Sequence, residues 1–337
     1  MKQRPTLADV AKACGFSLST VDRVLNARAP VRQATARRVF DAAAAIGYSV
    51  AEKAAPQPPE TDQRRLGFLL LDPVQEFYQE FSDQLEAAIR EAESPPDARF
   101  DYIRDRSPEA IAAQIRLLAN DRDRLAVACY EHPLILEAIK EAENRDVRVT
   151  ALLSPLSVVP TRAYIGLDNR RVGRTAAWGL THLAPHPGKV GIFVGSHRFI
   201  GHELREMGFR SYCREHAPAI EVLEPLVNHD DPEQAYKGTR DLLQRYPDLC
   251  GIYVAGGGME GVIQALYDAG APPLGVVTQE LTTTSRQALL DQRISLVIAT
   301  PLRQLATDLI RQMCLDEAPQ NSQQHTLPCM LYTPENC

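Results

Sequence analysis

Residues 6–26 of the chain, Thr-Leu-Ala-Asp-Val-Ala-Lys-Ala-Cys-Gly-Phe-Ser-Leu-Ser-Thr-Val-Asp-Arg-Val-Leu-Asn, predict two short helices joined by a tight turn. Thr6 precedes Asp9 by three residues, which is the spacing of a capping box at the start of a helix. Gly15 is typical of a helix end, because glycine adopts the left-handed conformation without a steric penalty. Ser17 is a candidate N-cap for the second helix. Together these signals indicate a helix-turn-helix motif.

The second of these helices has two distinct faces. Val21, Val24 and Leu25 recur at the spacing of one helical face and are expected to pack against the first helix. The opposite face carries side chains that stay available for other contacts, namely Leu18, Ser19, Asp22, Arg23 and Asn26. In a helix-turn-helix the second helix lies in the DNA major groove, where such side chains contact base edges. The stretch therefore predicts a DNA-binding head.

The charge of the chain is divided unevenly between this head and the rest. Residues 1–55 hold nine Lys and Arg against four Asp and Glu, a charge of +5, whereas the whole chain has −6. The remaining residues therefore carry −11. Because a basic segment attracts phosphate and an acidic body repels it, we expect nucleic-acid contacts to be confined to the head.

The composition predicts a globular protein without membrane spans. Apolar residues make up 45% of the 337, and the purely apolar stretches are short, Phe68–Leu71 being typical. A membrane-spanning helix needs roughly 20 apolar residues. The N-terminus leads into a polar helix without an apolar segment, which predicts a cytoplasmic protein. The seven cysteines are scattered and never spaced as Cys-x-x-Cys, so we expect neither a disulfide framework nor a zinc site.

Beyond the head, the sequence alternates between short apolar strands and amphipathic helices. A polar segment with Pro56, Pro58 and Pro59 first separates the head from this region and is typical of an extended linker. The alternation predicts parallel sheets covered by helices on both faces, and its length predicts two similar lobes. The predicted strands are 66–71, 100–104, 125–129, 147–153, 164–167, 189–194, 251–254 and 274–277.

The motifs of both regions resemble those of the LacI/GalR family of bacterial transcription regulators. The head carries the pattern Thr-Leu-x-Asp-Val-Ala, then Gly-x-Ser-x-x-Thr-Val-x-Arg-Val-Leu-Asn, between Thr6 and Asn26, followed later by Gly47-Tyr48. The body carries Tyr164-Ile-Gly-Leu-Asp-Asn-Arg-Arg-Val-Gly-Arg and Gly201-His-Glu-Leu-Arg-Glu-Met-Gly-Phe-Arg, which resemble segments of the family's core. The resemblance covers nearly the whole chain and is strongest in the head.

This resemblance implies an all-α helix-turn-helix head and a two-lobed α/β core of the type I periplasmic-binding-protein-like class. The head is expected at 1–50, the linker at 51–64 and the core at 65–337. Lobe 1 is expected to comprise 65–160 and 299–318, and lobe 2 to comprise 161–298 and 319–337. Such a chain is expected to act as a homodimer, most commonly a repressor, on a pseudo-palindromic DNA operator. A small sugar-like molecule between the lobes would control its affinity for DNA.

The resemblance also implies which side chains of the head contact DNA. Leu18, Ser19 and Arg23 are expected at base edges, where arginine pairs bidentately with guanine. The expected phosphate contacts are Thr6, Ser17, Thr20, Asn26, Arg32 and Thr35. Asp22 replaces a serine of the family, and it either repels phosphate or, as we favour, orients Arg23 through a salt bridge.

The linker departs from the family pattern. The family's hinge helix carries a leucine that enters the minor groove, whereas residues 52–59 read Glu-Lys-Ala-Ala-Pro-Gln-Pro-Pro. A proline inside a helix costs about 3 kcal/mol, so a helix through Pro56 is disfavoured. We therefore expect weak minor-groove readout and little central kinking of the operator.

Ligands of two-lobed proteins bind beyond the carboxyl ends of the strands, at the lobe interface. The side chains expected there are Asp72, Phe77 and Ser154 from lobe 1, and His202, Glu203, Arg205, Gly257 and Glu280 from lobe 2. Many family members hold a sugar hydroxyl with an arginine at the position of Glu203. A glutamate there weakens the expectation of an anionic ligand, unless Arg205 or His202 turns inward. Gly256–Gly258 either lets the backbone approach a ligand or serves loop flexibility.

Enzymatic activity is not expected, because the sequence contains no nucleophile elbow, dinucleotide-binding fingerprint or metal-ligand spacing. No cofactor and no metal are expected either. Two alternatives to a regulator controlled by a small molecule remain open. The first is the same regulator controlled by a protein co-regulator. The second is a cytosolic sugar-binding protein or enzyme with an incidental basic head.

Overall fold

The computed structural model describes residues 5–25, 35, 38–39, 42–43, 45–46, 48, 64–157, 163–270, 273–315 and 325–337. Asn26, Arg32 and residues 51–63 of the predicted linker lie outside this set. The chain divides into two compact units, a head at Met1–Asp62 and a body at Gln63–Cys337.

The head contains two short helices, each with the cap that the sequence predicts. Their bounds are Leu7–Cys14 for α1 and Leu18–Leu25 for α2. The backbone N–H and the hydroxyl of Thr6 both donate to Oδ2 of Asp9, at 2.8 and 2.7 Å. Gly15 ends α1 with φ at 72°. The N–H of Thr20 donates to Oγ of Ser17 at 3.2 Å, which caps α2.

One apolar cluster holds the head together. Its buried members are Val10, Cys14, Val21, Val24, Leu25, Val39 and Ala43. The last two lie at helical positions later in the chain. The inward face predicted for α2 is therefore confirmed.

The body alternates strands and helices. Its strands are β1 Arg65–Leu71, β2 Asp97–Ile103, β3 Arg124–Val127, β4 Arg148–Leu152, β5 Tyr164–Leu167, β6 Lys189–Val194, β7 Glu221–Val222, β8 Leu226–Val227, β9 Leu249–Val254, β10 Gly275–Gln279, β11 Leu296–Ala299, β12 His325–Leu327 and β13 Met330–Tyr332. Its described helices are α3 Glu76–Glu91, α4 Pro108–Leu118, α5 Pro133–Glu143, α6 Asn169–Leu183, α7 Ile200–His216, α8 Pro232–Arg245, α9 Met259–Asp268, α10 Thr283–Leu290 and α11 Leu302–Cys314. Every helix in the described part of the chain is too short or too polar to cross a lipid bilayer.

The strands form two sheets, one for each lobe. The first has six parallel strands in the order β12-β5-β4-β3-β1-β2. The second has seven strands in the order β13-β11-β10-β9-β6-β7, with β8 also paired to β6 and β13 antiparallel to β11. Helices cover both faces of each sheet, so the central strands are almost fully buried, as predicted for parallel sheets, whereas edge strands such as β2 and β7 are partly exposed.

The expected lobe boundaries need two corrections. Strand β5 (Tyr164–Leu167) pairs with β4 in the first sheet, so the first lobe extends past residue 160. Strand β12 (His325–Leu327) pairs with β5, so the segment after 318 does not belong wholly to the second lobe. The chain crosses between lobes after β5, after β11 and between β12 and β13. The sequence of a strand of three or four residues does not indicate which strand it pairs with, because the pairing depends on tertiary contacts.

Helices α6 and α7 cross so closely that their backbones touch at two glycines. A Cβ added to Gly173 would overlap the carbonyl oxygen of Arg205, and one added to Gly208 would overlap that of Arg170. The crossing fixes α7, which carries side chains of the interlobe cavity described below.

Replacing Gly173 by alanine tests this contact. In an exposed helix, alanine in place of glycine stabilises by about 1 kcal/mol. Here we expect a loss of roughly 2–4 kcal/mol in the free energy of unfolding, because the helices must separate. Urea unfolding measures the change. A variant as stable as the unmodified protein would contradict the close crossing.

Candidate functional site

α2 presents the predicted base-reading side chains on the face opposite the head core. Leu18 is 54% exposed although it is apolar, and Ser19 and Arg23 are also exposed. Val21 and Leu25, on the other face, are buried. This geometry leaves the three outward side chains available to a groove, and their contact with bases stays a prediction.

The residues predicted to hold phosphates differ in their availability. Thr6 already donates its N–H and its hydroxyl to the capping carboxylate of its own helix. Ser17 Oγ accepts the N–H of Thr20 and lies 2.8 Å from the Thr20 hydroxyl. Thr35 is half-buried at a helical position. A phosphate contact by Thr6 therefore requires that one of its capping bonds be exchanged.

The body contains a cavity of about 720 Å³ between its two lobes. Three polar residues of the cavity wall lie one or two positions after the end of a strand. Asp72 follows β1, Ser154 lies two residues after β4, and Glu280 follows β10. Parallel strands place their carboxyl ends at one edge of a sheet, and ligand sites of α/β proteins occur there. The cavity therefore lies where the sequence predicts a ligand site.

Most of the predicted ligand-contacting residues line this cavity. Those that do are Asp72, Phe77, Ser154, His202, Arg205, Gly257 and Glu280. Glu203 is exposed and does not line it, so its predicted place in the wall is wrong. Residues three apart share a helical face, so His202 and Arg205 both point inward while Glu203 points away. The wall thus contains Arg205, as expected, and lacks the glutamate that was expected beside it.

Arg205 is a buried guanidinium held by a chain of hydrogen bonds. Its Nε donates to Oδ1 of Asn169 at 2.7 Å, and its Nη1 donates to the carbonyl oxygen of Ala255 at 2.8 Å. Nδ2 of Asn169 donates in turn to the hydroxyl of Tyr164 at 3.1 Å and to the carbonyl oxygen of Leu153 at 3.3 Å. These bonds fix the guanidinium plane. Nη2 makes no hydrogen bond to any residue that the structure describes, so it is the donor left for a ligand.

His202 supplies a second donor to the cavity. Its Nδ1 accepts the N–H of Gly195 at 3.3 Å, so in the neutral ring the hydrogen is on Nε2. Burial lowers the pKa of His202 to about 4, and the nearby charge of Arg205 adds to this, although Asp230 opposes it. The imidazole is therefore neutral near pH 7.

The glycines of Gly256–Gly258 make room for side chains of the wall. A Cβ on Gly256 would lie 2.7 Å from Cε1 of His202, and one on Gly257 would lie 2.9 Å from Cβ of Asp230. The N–H of Gly257 donates to Oδ1 of Asp230 at 2.7 Å. Close packing against His202 and Asp230 thus accounts for Gly256 and Gly257, whereas Gly258 has a positive φ of 83°, which favours glycine.

Unusual backbone conformations concentrate at the cavity. Leu153, His229, Asp230 and Glu280 all have positive φ, between 53° and 64°, and all line the wall. Such conformations cost energy in residues other than glycine and persist at sites where the surroundings fix them. Glu280 is fixed by Thr300, whose N–H and hydroxyl each donate to its carboxylate at 2.8 Å.

Several charged residues of the wall were missed by the sequence analysis. They are Glu76, Arg104, Arg106, Asp230, Asp231 and Glu260. Two of them follow strands whose ends differ from the prediction or were not predicted: Arg104 lies directly after β2, and Asp230 comes three residues after the two-residue β8. Correct strand ends would have identified both.

Direct hydrogen bonds join the two lobes around the cavity. The N–H of Gly201 donates to Ser154 Oγ at 3.0 Å, and Arg106 Nη1 donates to the carbonyl oxygen of His229 at 2.8 Å. The hydroxyl of Thr284 donates to Glu76 at 2.9 Å. Each of these bonds has one partner in each lobe, so the structure shows the lobes closed over the cavity.

The neutral state of His202 predicts that acid destabilises the body. The unfolded chain takes up a proton on His202 below about pH 6.5, whereas the folded chain does so only near pH 4. The contribution of His202 to stability is therefore fully present above about pH 6.5 and decreases as the pH falls toward 4, by roughly 3 kcal/mol. Urea unfolding between pH 4.5 and 7.5 should show a flatter pH dependence for His202→Gln. The exposed His216→Gln is the control, and equal slopes for the two variants would contradict the prediction.

Comparison with known proteins relates both units to established families. Residues 67–315 match the Periplasmic binding protein domain family, and residues 6–50 match the Bacterial regulatory proteins, lacI family. No curated protein sequence matches the chain.

Solved structures share the fold of the body. An ABC transporter solute binding protein from Agrobacterium vitis, bound with α-D-tagatopyranose, is 20% identical with a TM-score of 0.71, over 81% of this chain and 95% of its own. One from Actinobacillus succinogenes with bound D-allose is 18% identical with a TM-score of 0.70, over 81% and 98%. GanP, a glucose-galactose binding protein from Geobacillus stearothermophilus, is 15% identical with a TM-score of 0.72, over 81% and 99%.

At these identities the solved structures establish the fold alone, whereas the family matches cover both units. The chain belongs to the periplasmic binding protein domain family and, with a head of the lacI family of bacterial regulatory proteins, has the architecture of a LacI-type regulator.

Proposed function

We propose that this protein is a sequence-specific transcriptional repressor whose affinity for its operator is controlled by a small sugar-like molecule in the interlobe cavity. One observation carries the proposal: a single chain combines exposed side chains on the outward face of α2 with a cavity between two lobes whose wall contains charged and polar side chains. The tagatose and allose bound to proteins of the same fold support a sugar-like ligand.

The head binds DNA as one half of a homodimer. One helix-turn-helix reads only a few base pairs, and two heads on a pseudo-palindromic site double the sequence that is read. Leu18, Ser19 and Arg23 contact base edges, while the hydroxyl, amide and basic side chains predicted above contact phosphates. Because DNA is the target, the protein acts in the cytoplasm.

The cavity supplies the control. Its hydrogen bonds between lobes exist in the closed arrangement, so a ligand that binds the closed lobes more tightly shifts the population toward them. Coupling free energies of this kind are typically about 1–3 kcal/mol, equivalent to roughly 5- to 150-fold in DNA affinity.

Selection from a random DNA library, followed by gel shift, tests the proposal. We expect one pseudo-palindromic sequence to be enriched and its affinity to fall steeply with salt. A sugar or polyol that raises the thermal stability of the protein should change that affinity. If no sequence is enriched, the proposal that the protein is a sequence-specific DNA-binding regulator is overturned. A ligand that stabilises the body without changing DNA affinity would overturn the switch but leave the sugar-binding site.

A further inference from the structure

The charged side chains that line the interlobe cavity are mostly acidic. Six carboxylates line it against three guanidinium groups. The acidic residues are Asp72, Glu76, Asp230, Asp231, Glu260 and Glu280, and the basic ones are Arg104, Arg106 and Arg205. Walls of low dielectric constant concentrate the field of such a set, so the excess negative charge acts on any ligand inside.

The cavity carboxylates are not neutralised by ion pairs. Within the described part of the chain, the partners of these carboxylates are uncharged donors. Glu76 accepts from Thr284, Asp230 from the N–H of Gly257, and Glu280 from Thr300. Such hydrogen bonds stabilise the charge but do not cancel it.

The basic groups are poorly placed to receive an anion. Arg205 is the buried one. The carboxylates of Asp230 and Glu280 line the same cavity, and the positive charge of Arg205 acts directly on Glu280. Arg104 and Arg106 are exposed, and Arg106 already donates to a carbonyl oxygen of the other lobe. The buried part of the cavity therefore contains one cation among several anions.

Glu260 is the carboxylate most directly available to a ligand. It lies in the first turn of α9, lines the cavity, and has no hydrogen bond to another residue in the described part of the chain. Burial raises the pKa of Glu260, and the negative charges of Glu76 and Asp230 raise it further. A ligand with its own negative charge would be repelled by these carboxylates.

Resting on the proposed function, we infer that the cavity selects polyhydroxylated ligands without negative charge and rejects their carboxylated and phosphorylated derivatives, with Glu260 setting this discrimination. Neutral hydroxyl groups satisfy the carboxylates as donors and Arg205 as an acceptor. A carboxylate or phosphate would be repelled, because like charges brought together at an interface are strongly unfavourable.

Calorimetry with the full chain tests the inference on matched sets of compounds. Each set contains a parent sugar (glucose, galactose, allose or ribose), its alditol, its 2-amino derivative, its aldonic acid and its phosphate ester. In the set that binds best, the acid and the ester should bind at least tenfold more weakly than the parent, a ratio of roughly the size expected for one repelled charge. The amino derivative should bind at least as well as the parent.

The Glu260→Gln variant tests the role of that residue. The readout is the ratio of the dissociation constant of each anionic member to that of its neutral parent, measured on the same variant. We expect this ratio to shrink by about threefold or more in Glu260→Gln, whatever the change in affinity for the parent itself. Glu233→Gln, which changes an exposed glutamate on α8, is the matched control and should leave the ratio unchanged.

The outcomes separate the inference from the proposed function. If an acid or phosphate ester binds more tightly than its parent, the charge inference is overturned while ligand control stands. If no member of any set binds, both the charge inference and control by a sugar-like ligand are overturned, while DNA binding is decided separately by the library selection. If Glu260→Gln behaves like Glu233→Gln, the assignment to Glu260 is overturned. The panel on the unmodified protein decides the charge class even if Glu260→Gln does not fold.

Discussion

Replacing Arg23 by alanine is expected to weaken operator binding by roughly 10- to 100-fold, because a bidentate arginine–guanine pair is worth about 1–3 kcal/mol of discrimination. Arg23 is exposed on the face of α2 opposite the head core, so its removal leaves the fold of the head unchanged. Binding to unrelated DNA should decrease much less. Gel shift with the operator and with base-substituted operators measures both effects.

The diagnostic result is a loss of sequence preference at the base pair that Arg23 contacts. Arg90→Ala, which removes an equally charged and exposed side chain from α3 of the body, is the control for net charge. If Arg23→Ala retained the affinity and the base preferences of the unmodified protein, α2 would not be the reading helix. A uniform weakening on all sequences would instead assign Arg23 to phosphate contact.

Replacing Arg205 by methionine is expected to abolish the response to the cavity ligand, with a loss of affinity of about 100-fold or more for a charged hydrogen-bonding group. Methionine keeps much of the side-chain length but removes the donors. Asn169 Oδ1 and the Ala255 carbonyl oxygen would lose their buried partner. Leaving such groups unsatisfied costs about 1–3 kcal/mol each, so we also expect lower stability.

Arg214→Met is the matched control, because Arg214 lies on the same helix but is exposed and outside the cavity. Thermal unfolding with and without ligand separates the two effects. Arg205→Met should unfold at a lower temperature and show no ligand-induced shift, whereas Arg214→Met should show the full shift. A normal ligand-induced shift in Arg205→Met would contradict the role given to Nη2.

The head was predictable to the level of individual capping bonds. Thr6 with Asp9, Gly15 and Ser17 act on residues at most four positions away, and such local interactions depend little on the rest of the chain. The inward face of α2 followed from the helical period alone. The alternation of strands and helices likewise predicted both sheets, since their central strands, such as β1, β3, β6 and β9, are short and largely apolar.

The cavity was predictable in position but not in detail. Asp72, Ser154 and Glu280 came from the rule that ligands bind beyond strand ends, and all three line the wall. The prediction that Glu203 lines the cavity was wrong, because the start and rotation of α7 decide which of its side chains turn inward. Asp230 was missed because β8 is too short to be recognised from its sequence.

The sequence by itself determined the helix-turn-helix head, the two-sheet body and the edge at which the cavity lies, because these follow from caps, periodicity and strand direction within short segments. Only the tertiary structure decided which lobe receives β5 and β12, that Arg205 and His202 face the cavity while Glu203 does not, and that six carboxylates gather around it. Those outcomes depend on pairings and rotations between residues far apart in the chain. No local pattern encodes them, since their free energy comes from contacts that exist only after folding.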